Sequence, residues 1–273
     1  MGLTQPTVGI IGGTGRMGSW FANLLKGQGL RVSCAGRKTG ITPSTIAQQS
    51  DVVVVSVSIP RTVKIIQEIG PMVRENGLLM DLTSLKKGPM EAMLKYSRAE
   101  VVGAHPLFGP KERHITGQRM AICPGRGERG LKWLTEILEK AGIRIVVMDP
   151  EEHDRLMGLI QGVNHFSTLA LALCISRSGF SFDDVLNCST QTFKLRLDRI
   201  KAIVEQPSEL FESLLMDNPG AGEFIEQYLD AVEEMIEITR ECNTEAFREL
   251  FNSLKTFFKV NQKGEEHHET GMG

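Results

Sequence analysis

The chain has 273 residues, 41% hydrophobic and 23% charged, with a formal net charge of −2. This is ordinary composition for a soluble globular chain of one large or two modest domains, and near-neutral charge argues against a nucleic-acid binder. The cysteines at 34, 123, 174, 188 and 242 are odd in number and form no CxxC pair, which argues against a disulfide framework or a metal site and for a reducing cytoplasm.

Apolar strand-like runs fall at 8–12, 31–36, 51–57, 77–82, 101–105, 119–123 and 143–149. Helix-like segments lie between several of them, at 17–26, 61–73, 88–97 and 129–141. Continuous apolar strands separated by helices predict a doubly wound parallel sheet covered on both faces, the Rossmann type of α/β fold. From Pro150 the strand signal stops. Asp149-Pro150-Glu151-Glu152 reads as an N-cap, a proline at the first helical position and a capping-box acid. A long helix to about 176 follows, then helices at 181–206, 208–216, 221–241 and 243–260. The expected division is a dinucleotide-binding domain over 1–149 and an all-helical domain over 150–260. A polar, glycine-rich tail over 261–273 is expected to be disordered, with His267-His268 a solvated pair. No secretory signal is read ahead of the first strand. The apolar stretch 169–175 is short and preceded by Gln161, Asn164 and His165, so no membrane span is expected.

Gly13-Thr14-Gly15-Arg16-Met17-Gly18 is a GxGxxG between the first strand and the first helix. In such a loop Gly13 would permit the tight turn, Gly15 would admit a pyrophosphate to the backbone, and Gly18 would pack helix on strand. The free N–H groups of the helix N-terminus would favour the phosphates. The second strand ends in Ala35-Gly36-Arg37-Lys38 with no acid to bind a ribose hydroxyl. Two cations there suit a 2′-phosphate, so NADP is expected over NAD, which stays possible. The bland alternative is a solvated basic loop. Ser56-Val57-Ser58 would line the cofactor from the third strand.

Ligands of such sheets bind at the carboxyl ends of the strands. Ser84 and Lys86 lie just past one end, and His105 lies at another, fixed in extended backbone by Pro106 within HPLFGP. Imidazole titrates near neutrality and is suited to take a proton from a hydroxyl undergoing oxidation. A strand-end histidine is also a common structural residue. In the helical half, His153 starts the long helix, and Gln161 and His165 stand four residues apart in an apolar stretch. They read either as an internal hydrogen-bonded pair or as the wall of a substrate pocket.

Taken together, these residues resemble the prephenate/arogenate dehydrogenase family, in the branch with an HPMFG motif. The resemblance rests on IIGGTGRMG, DVVVVSVSIP, LLMDLTSLK, HPLFGP, EEHDRLMGLIQGVNHFST and ELFESLLM. It implies oxidative decarboxylation of a cyclohexadienol: prephenate to 4-hydroxyphenylpyruvate, in tyrosine biosynthesis, by a homodimer joined through its helical domains. His105 matches the catalytic histidine that accepts the ring hydroxyl proton. Ser84 matches the serine that orients it, and Lys86 a motif lysine near the site. His153 and His165 match pocket histidines, with Gln161 nearby. No chorismate mutase domain or C-terminal regulatory domain is expected. The family's carboxylate-binding arginine aligns with Ala202, and Lys194 with an earlier arginine, which leaves Arg199 or Lys201 to substitute. Arogenate and 4-amino-4-deoxyprephenate therefore stay open as substrates. A deazaflavin-dependent NADP reductase, or a non-enzymatic NADP-binding module, would share the first half.

Overall fold

Val52, Val53, Val54 and Val55 are all fully buried, and they show how the sheet is covered. Successive side chains of a strand point to opposite faces. Val52 and Val54 pack with Phe21, Leu25, Trp133 and Leu134, whereas Val53 and Val55 pack with Ile46, Ile66, Met90 and Met93. Burying one such side chain contributes roughly 1.5–3 kcal/mol. A computed structural model describes residues 5–112 and 114–262; the tail beyond 262, with His267 and His268, lies outside them.

The strands are β1 (Thr7–Ile11), β2 (Arg31–Ala35), β3 (Val52–Val55), β4 (Leu78–Asp81), β5 (Glu100–Pro106), β6 (Arg119–Pro124) and β7 (Arg144–Val147). They form one sheet in the order β2-β1-β3-β4-β5-β6-β7. Helices α1 (Arg16–Gly27) and α5 (Arg129–Lys140) cover one face. Helices α2 (Pro43–Gln49), α3 (Ile59–Ile69) and α4 (Lys87–Tyr96) cover the other. The expectation of an all-parallel sheet is corrected at one place, because β6 runs antiparallel to β5. A parallel return needs a crossover, usually a helix, and none lies among the described residues between Pro106 and Arg119. Helix α2 is too short to show a period in the sequence. Thr42 caps it, its hydroxyl accepting from the Thr45 amide at 3.1 Å, with Pro43 in the first turn.

After β7 the described chain is helical. Asp149 caps α6 (Pro150–Met157) by accepting from the Glu151 amide at 2.8 Å. A π-helical turn, Gly158–Val163, joins α6 to α7 (Asn164–Ser176). Then come α8 (Phe182–Asn187), α9 (Gln191–Val204), α10 (Ser208–Met216), α11 (Pro219–Arg240) and α12 (Thr244–Gln262). The single helix expected over 181–206 is broken, and Thr190 starts the second piece as its N-cap. Residues 261 and 262, expected in the tail, close α12.

The long helix expected from Pro150 to about 176 forms, with Gln161 inside its π turn and Asn164 and His165 opening α7. Pro150–Ser176 is continuous, and by length and composition alone it could cross a membrane. The three polar residues do not exclude a span by length and mean hydropathy, contrary to the expectation from sequence.

By its contacts the chain divides into one unit through Phe224 and a second from Ile225. The first unit reaches past 149 because α6 is stitched into it. Asp154 of α6 accepts from the Lys86 and Lys87 amides at 2.7 and 2.9 Å, and Asn218 Nδ2 in turn donates to the Asp154 carbonyl at 2.9 Å. In the second unit, Tyr228, Ala231, Val232, Met235 and Ile236 line one side of α11.

Candidate active site

The glycine-rich loop stands where the strand order reverses, since β1 has β2 on one side and β3 on the other. Ligands of open α/β sheets bind at such a point. The tight turn belongs to Gly12, not to Gly13 as expected. Gly12 has φ +85°, and a Cβ there would lie 2.1 Å from the Ser56 carbonyl oxygen. Gly13 is needed for close approach instead, since its Cβ would lie 2.6 Å from Cys34 Sγ. At Gly18 the obstacle would be the Gly12 oxygen, 2.3 Å away. The doubled glycine of IIGGTG carried the signal for Gly12.

Gly15 caps α1 without a side-chain hydrogen bond, and Thr14, Gly15 and Arg16 are exposed while Met17 is half-buried. The first-turn amides of α1 therefore lack a side-chain cap. Ser56 and Val57 border the loop, and Ser58 leads into α3. Arg37 and Lys38 are exposed past the end of β2, with no ion pair among the described residues. A backbone cradle closed to any Cβ, an uncapped helix N-terminus and two unpaired cations together fit a phosphorylated dinucleotide.

His105 lies at the end of β5 and is 3% exposed. Its Nδ1 is 3.0 Å from His153 Nε2, and His153 Nδ1 is 2.8 Å from Asp154 Oδ1. Asp154 also accepts from the Lys86 amide at 2.7 Å and the Lys87 amide at 2.9 Å. His105 is held well below the ordinary imidazole range, first by burial, then by His153 and Lys86. The neighbouring Phe108 packs edge-on against Trp20 of α1 at 5.0 Å, which ties the HPLFGP turn to the glycine-loop helix. Gly109 has no neighbour its Cβ would strike and no positive φ, so the turn does not require glycine there.

Three expected site residues stand differently. Lys86 is fully buried, and its ammonium pairs with Asp81 and donates to the Ala104 carbonyl at 2.9 Å. It braces the strand end beneath His105 and is closed to a ligand. His153 is also fully buried, and both ring nitrogens are spent on His105 and Asp154, so it is not a pocket wall. Ser84 is half-buried and makes no side-chain hydrogen bond among the described residues; the partner of His105 is His153 instead. Asp154 and Asp81 were not singled out from sequence. The adjacent His153-Asp154 pair was in plain view, but Asp154 follows the first-turn acids Glu151 and Glu152 and reads as one more carboxylate of a charged helix start.

Gln161 Oε1 and His165 Nδ1 are buried without a hydrogen-bond partner among the described residues, so they are not the internal pair the sequence allowed. His165 packs edge-on against Phe211 of α10 at 5.1 Å, and burial, then the charge of Arg199, lowers its pKa. The structure thus brings Arg199 toward His165. Lys194 and Lys201, seven residues apart, share the opposite edge of the buried stripe of α9, which is marked by Leu197 and Ile203. Ala202 is exposed, and Gln206 Nε2 donates to its carbonyl at 3.0 Å. No group of three or more metal-ligating side chains occurs among the described residues.

A glycine cradle at the reversal point of a mostly parallel sheet, joined to a helical half, defines a Rossmann-type dinucleotide-binding protein. The chain belongs to the prephenate dehydrogenase family. Residues 32–147 match its nucleotide-binding domain and residues 149–253 its dimerization domain. It is 31% identical, over 93% of its length, to a probable arogenate/prephenate dehydrogenase of Methanocaldococcus jannaschii, and covers 61% of that protein. It is also 31% identical, over 91% of its length, to the T-protein of Haemophilus influenzae, of which it covers 66%. The chain therefore spans less than two thirds of the length of these relatives. Its fold matches the crystal structure of Synechocystis arogenate dehydrogenase with a TM-score of 0.73 at 17% identity, covering 94% of this chain and 99% of that one. It also matches prephenate dehydrogenase from A. aeolicus, solved with hydroxyphenyl propionate and NAD+, at a TM-score of 0.70 and 18% identity, covering 95% and 100%.

Proposed function

We propose that the chain oxidatively decarboxylates prephenate to 4-hydroxyphenylpyruvate in tyrosine biosynthesis, as a cytoplasmic homodimer that prefers NADP+ over NAD+. The observation that carries the proposal is His105, an imidazole kept neutral by burial at the end of β5, with one nitrogen tied back into the protein. Residues 1–149 serve as the dinucleotide domain and 150–260 as the substrate and dimerisation domain. The bound cofactor would supply a hydride acceptor. Gly12, Gly13, Gly15 and Gly18 admit its pyrophosphate, and Arg37 and Lys38 take a 2′-phosphate.

His105 accepts the ring hydroxyl proton as the neighbouring C–H bond breaks. The ring carboxylate leaves as CO2, and its electron pair completes the aromatic ring. Arg199, rather than Lys194 or Lys201, is the cation set to hold a substrate carboxylate, since its charge reaches His165. A charge-assisted bond there replaces what an arginine at position 202 would make.

Arogenate is the second reading, and one observation favours it. Gln161 Oε1 is a buried acceptor without a donor among the described residues. The amine that arogenate carries in place of the prephenate ketone would supply that donor. The test is appearance of reduced cofactor with prephenate and with arogenate, each with NADP+ and with NAD+. Faster turnover of prephenate with NADP+ is expected. Turnover of arogenate alone would reassign the substrate, and none with either would overturn the proposal.

A further inference from the structure

We infer that Asp154 is a positioning residue that sets the tautomer of His105 through His153, and so decides which nitrogen of His105 accepts the proton. The inference deepens the proposed reaction and rests on His105 being its base.

Asp154 Oδ1 accepts from the Lys86 amide and Oδ2 from the Lys87 amide. A backbone N–H can only donate, so the carboxylate presents lone pairs on both oxygens. The contact with His153 Nδ1 at 2.8 Å therefore places a proton on that nitrogen. A neutral His153 then has its lone pair on Nε2. At 3.0 Å that lone pair needs a proton on His105 Nδ1. His105 is left with its lone pair on Nε2, the nitrogen not bound into the chain. The other tautomer would set two lone pairs face to face.

Water cannot relieve such a mismatch, because His153 is 0% and Asp154 7% exposed. Nor can the rings turn freely: they meet edge-on, 73° apart, with centroids 5.1 Å apart. Lys86 closes the arrangement from both sides. Its amide holds Asp154, and its ammonium, paired with Asp81, holds the carbonyl of Ala104, the residue before His105. Asp154 touches no substrate in this scheme. It acts as the third member of a base–orienter series, as in catalytic triads generally.

Imidazole NMR of the whole protein, with isotope-labelled histidine, reads the tautomers directly. His105→Asn and His153→Gln assign the two signals. The expected result is the Nδ1–H tautomer at both His105 and His153. An Nε2–H tautomer at His105, or an imidazolium at His153 donating toward it, would overturn the inference.

Asp154→Asn is expected to lower kcat by about 10²-fold, with KM and cofactor Kd held, and to leave His105 as a tautomer mixture. A fall in kcat with the single tautomer intact would also overturn it, since a merely structural role predicts that outcome. If Asp154→Asn does not fold, the tautomers of the parent protein still decide. Full activity in His105→Asn alongside the expected tautomers would instead sink His105 as the base, which keeps the two failures distinguishable.

Discussion

A ring sealed from water is a poor place for a positive charge, and His105 is such a ring. Burial, His153 and Lys86 all push its pKa down from 6.5. The acid limb of kcat/KM should therefore lie well below that value, with a flat profile through neutrality; an inflection near the ordinary imidazole range would show a hydrated ring. Stability follows with the same sign. The folded pKa is depressed, so the unfolded chain binds more protons in the window between the two values. His105 costs no stability above the unfolded value, and stability falls as pH drops through the window toward the folded one. His105→Asn should flatten that part of a urea-melt series against pH. It should also lower kcat by about 10²–10⁴-fold, the usual contribution of a general base, with cofactor binding retained in a fluorescence titration.

At the scale of elements, the π turn is the feature with the most consequence. In an unbroken α-helix His165 would stand about 120° around the axis from His153, since each residue turns about 100°. One extra residue in the turn cancels most of that drift, bringing His165 back toward the side that His153 faces. Gly158 and Gly162 let this segment press on the start of α11, where Cβ atoms would lie 2.4 Å from the Gly220 carbonyl carbon and 3.0 Å from Ala221 Cβ. Gly158→Ala meets backbone that cannot swing aside. It should lose about 1–3 kcal/mol in urea melts, as overpacked sites do. Gly222→Ala, with nothing within 4 Å, is the matched control and should change little.

The seven strands, the loop and the proline-led α6 were legible because each is a local signal: an apolar run, a glycine spacing, a cap. The reversal of β6, the break before α9 and the π turn were not, because each depends on what the segment packs against.

For the whole molecule, the open question is what covers the helical half. Helix α7 has no buried residue, and Leu159, Ile160 and Leu173 are about half exposed. Exposed apolar surface of that kind marks an interface, and the dimerization-domain match over 149–253 points to a second copy of the chain as the cover. Leu173→Glu should shift the protein toward monomers in sedimentation equilibrium, while the parent sediments as a dimer. Recovery of the parent in the membrane fraction would overturn that reading, since Pro150–Ser176 also satisfies the length and hydropathy of a span.

The sequence by itself determined the α/β class, the dinucleotide loop, the change of character at 149/150 and His105 as the candidate base. These are written in short-range periodicity and spacing, which the backbone obeys locally. Only the tertiary structure decided who faces whom. It placed Lys86 and His153, both read as site residues, inside the protein, and it put Asp154, 49 residues beyond His105 in the chain, behind that histidine. Hydrogen bonds between buried side chains depend on atoms meeting within about 3 Å, and no pattern along one strand or helix records such a meeting.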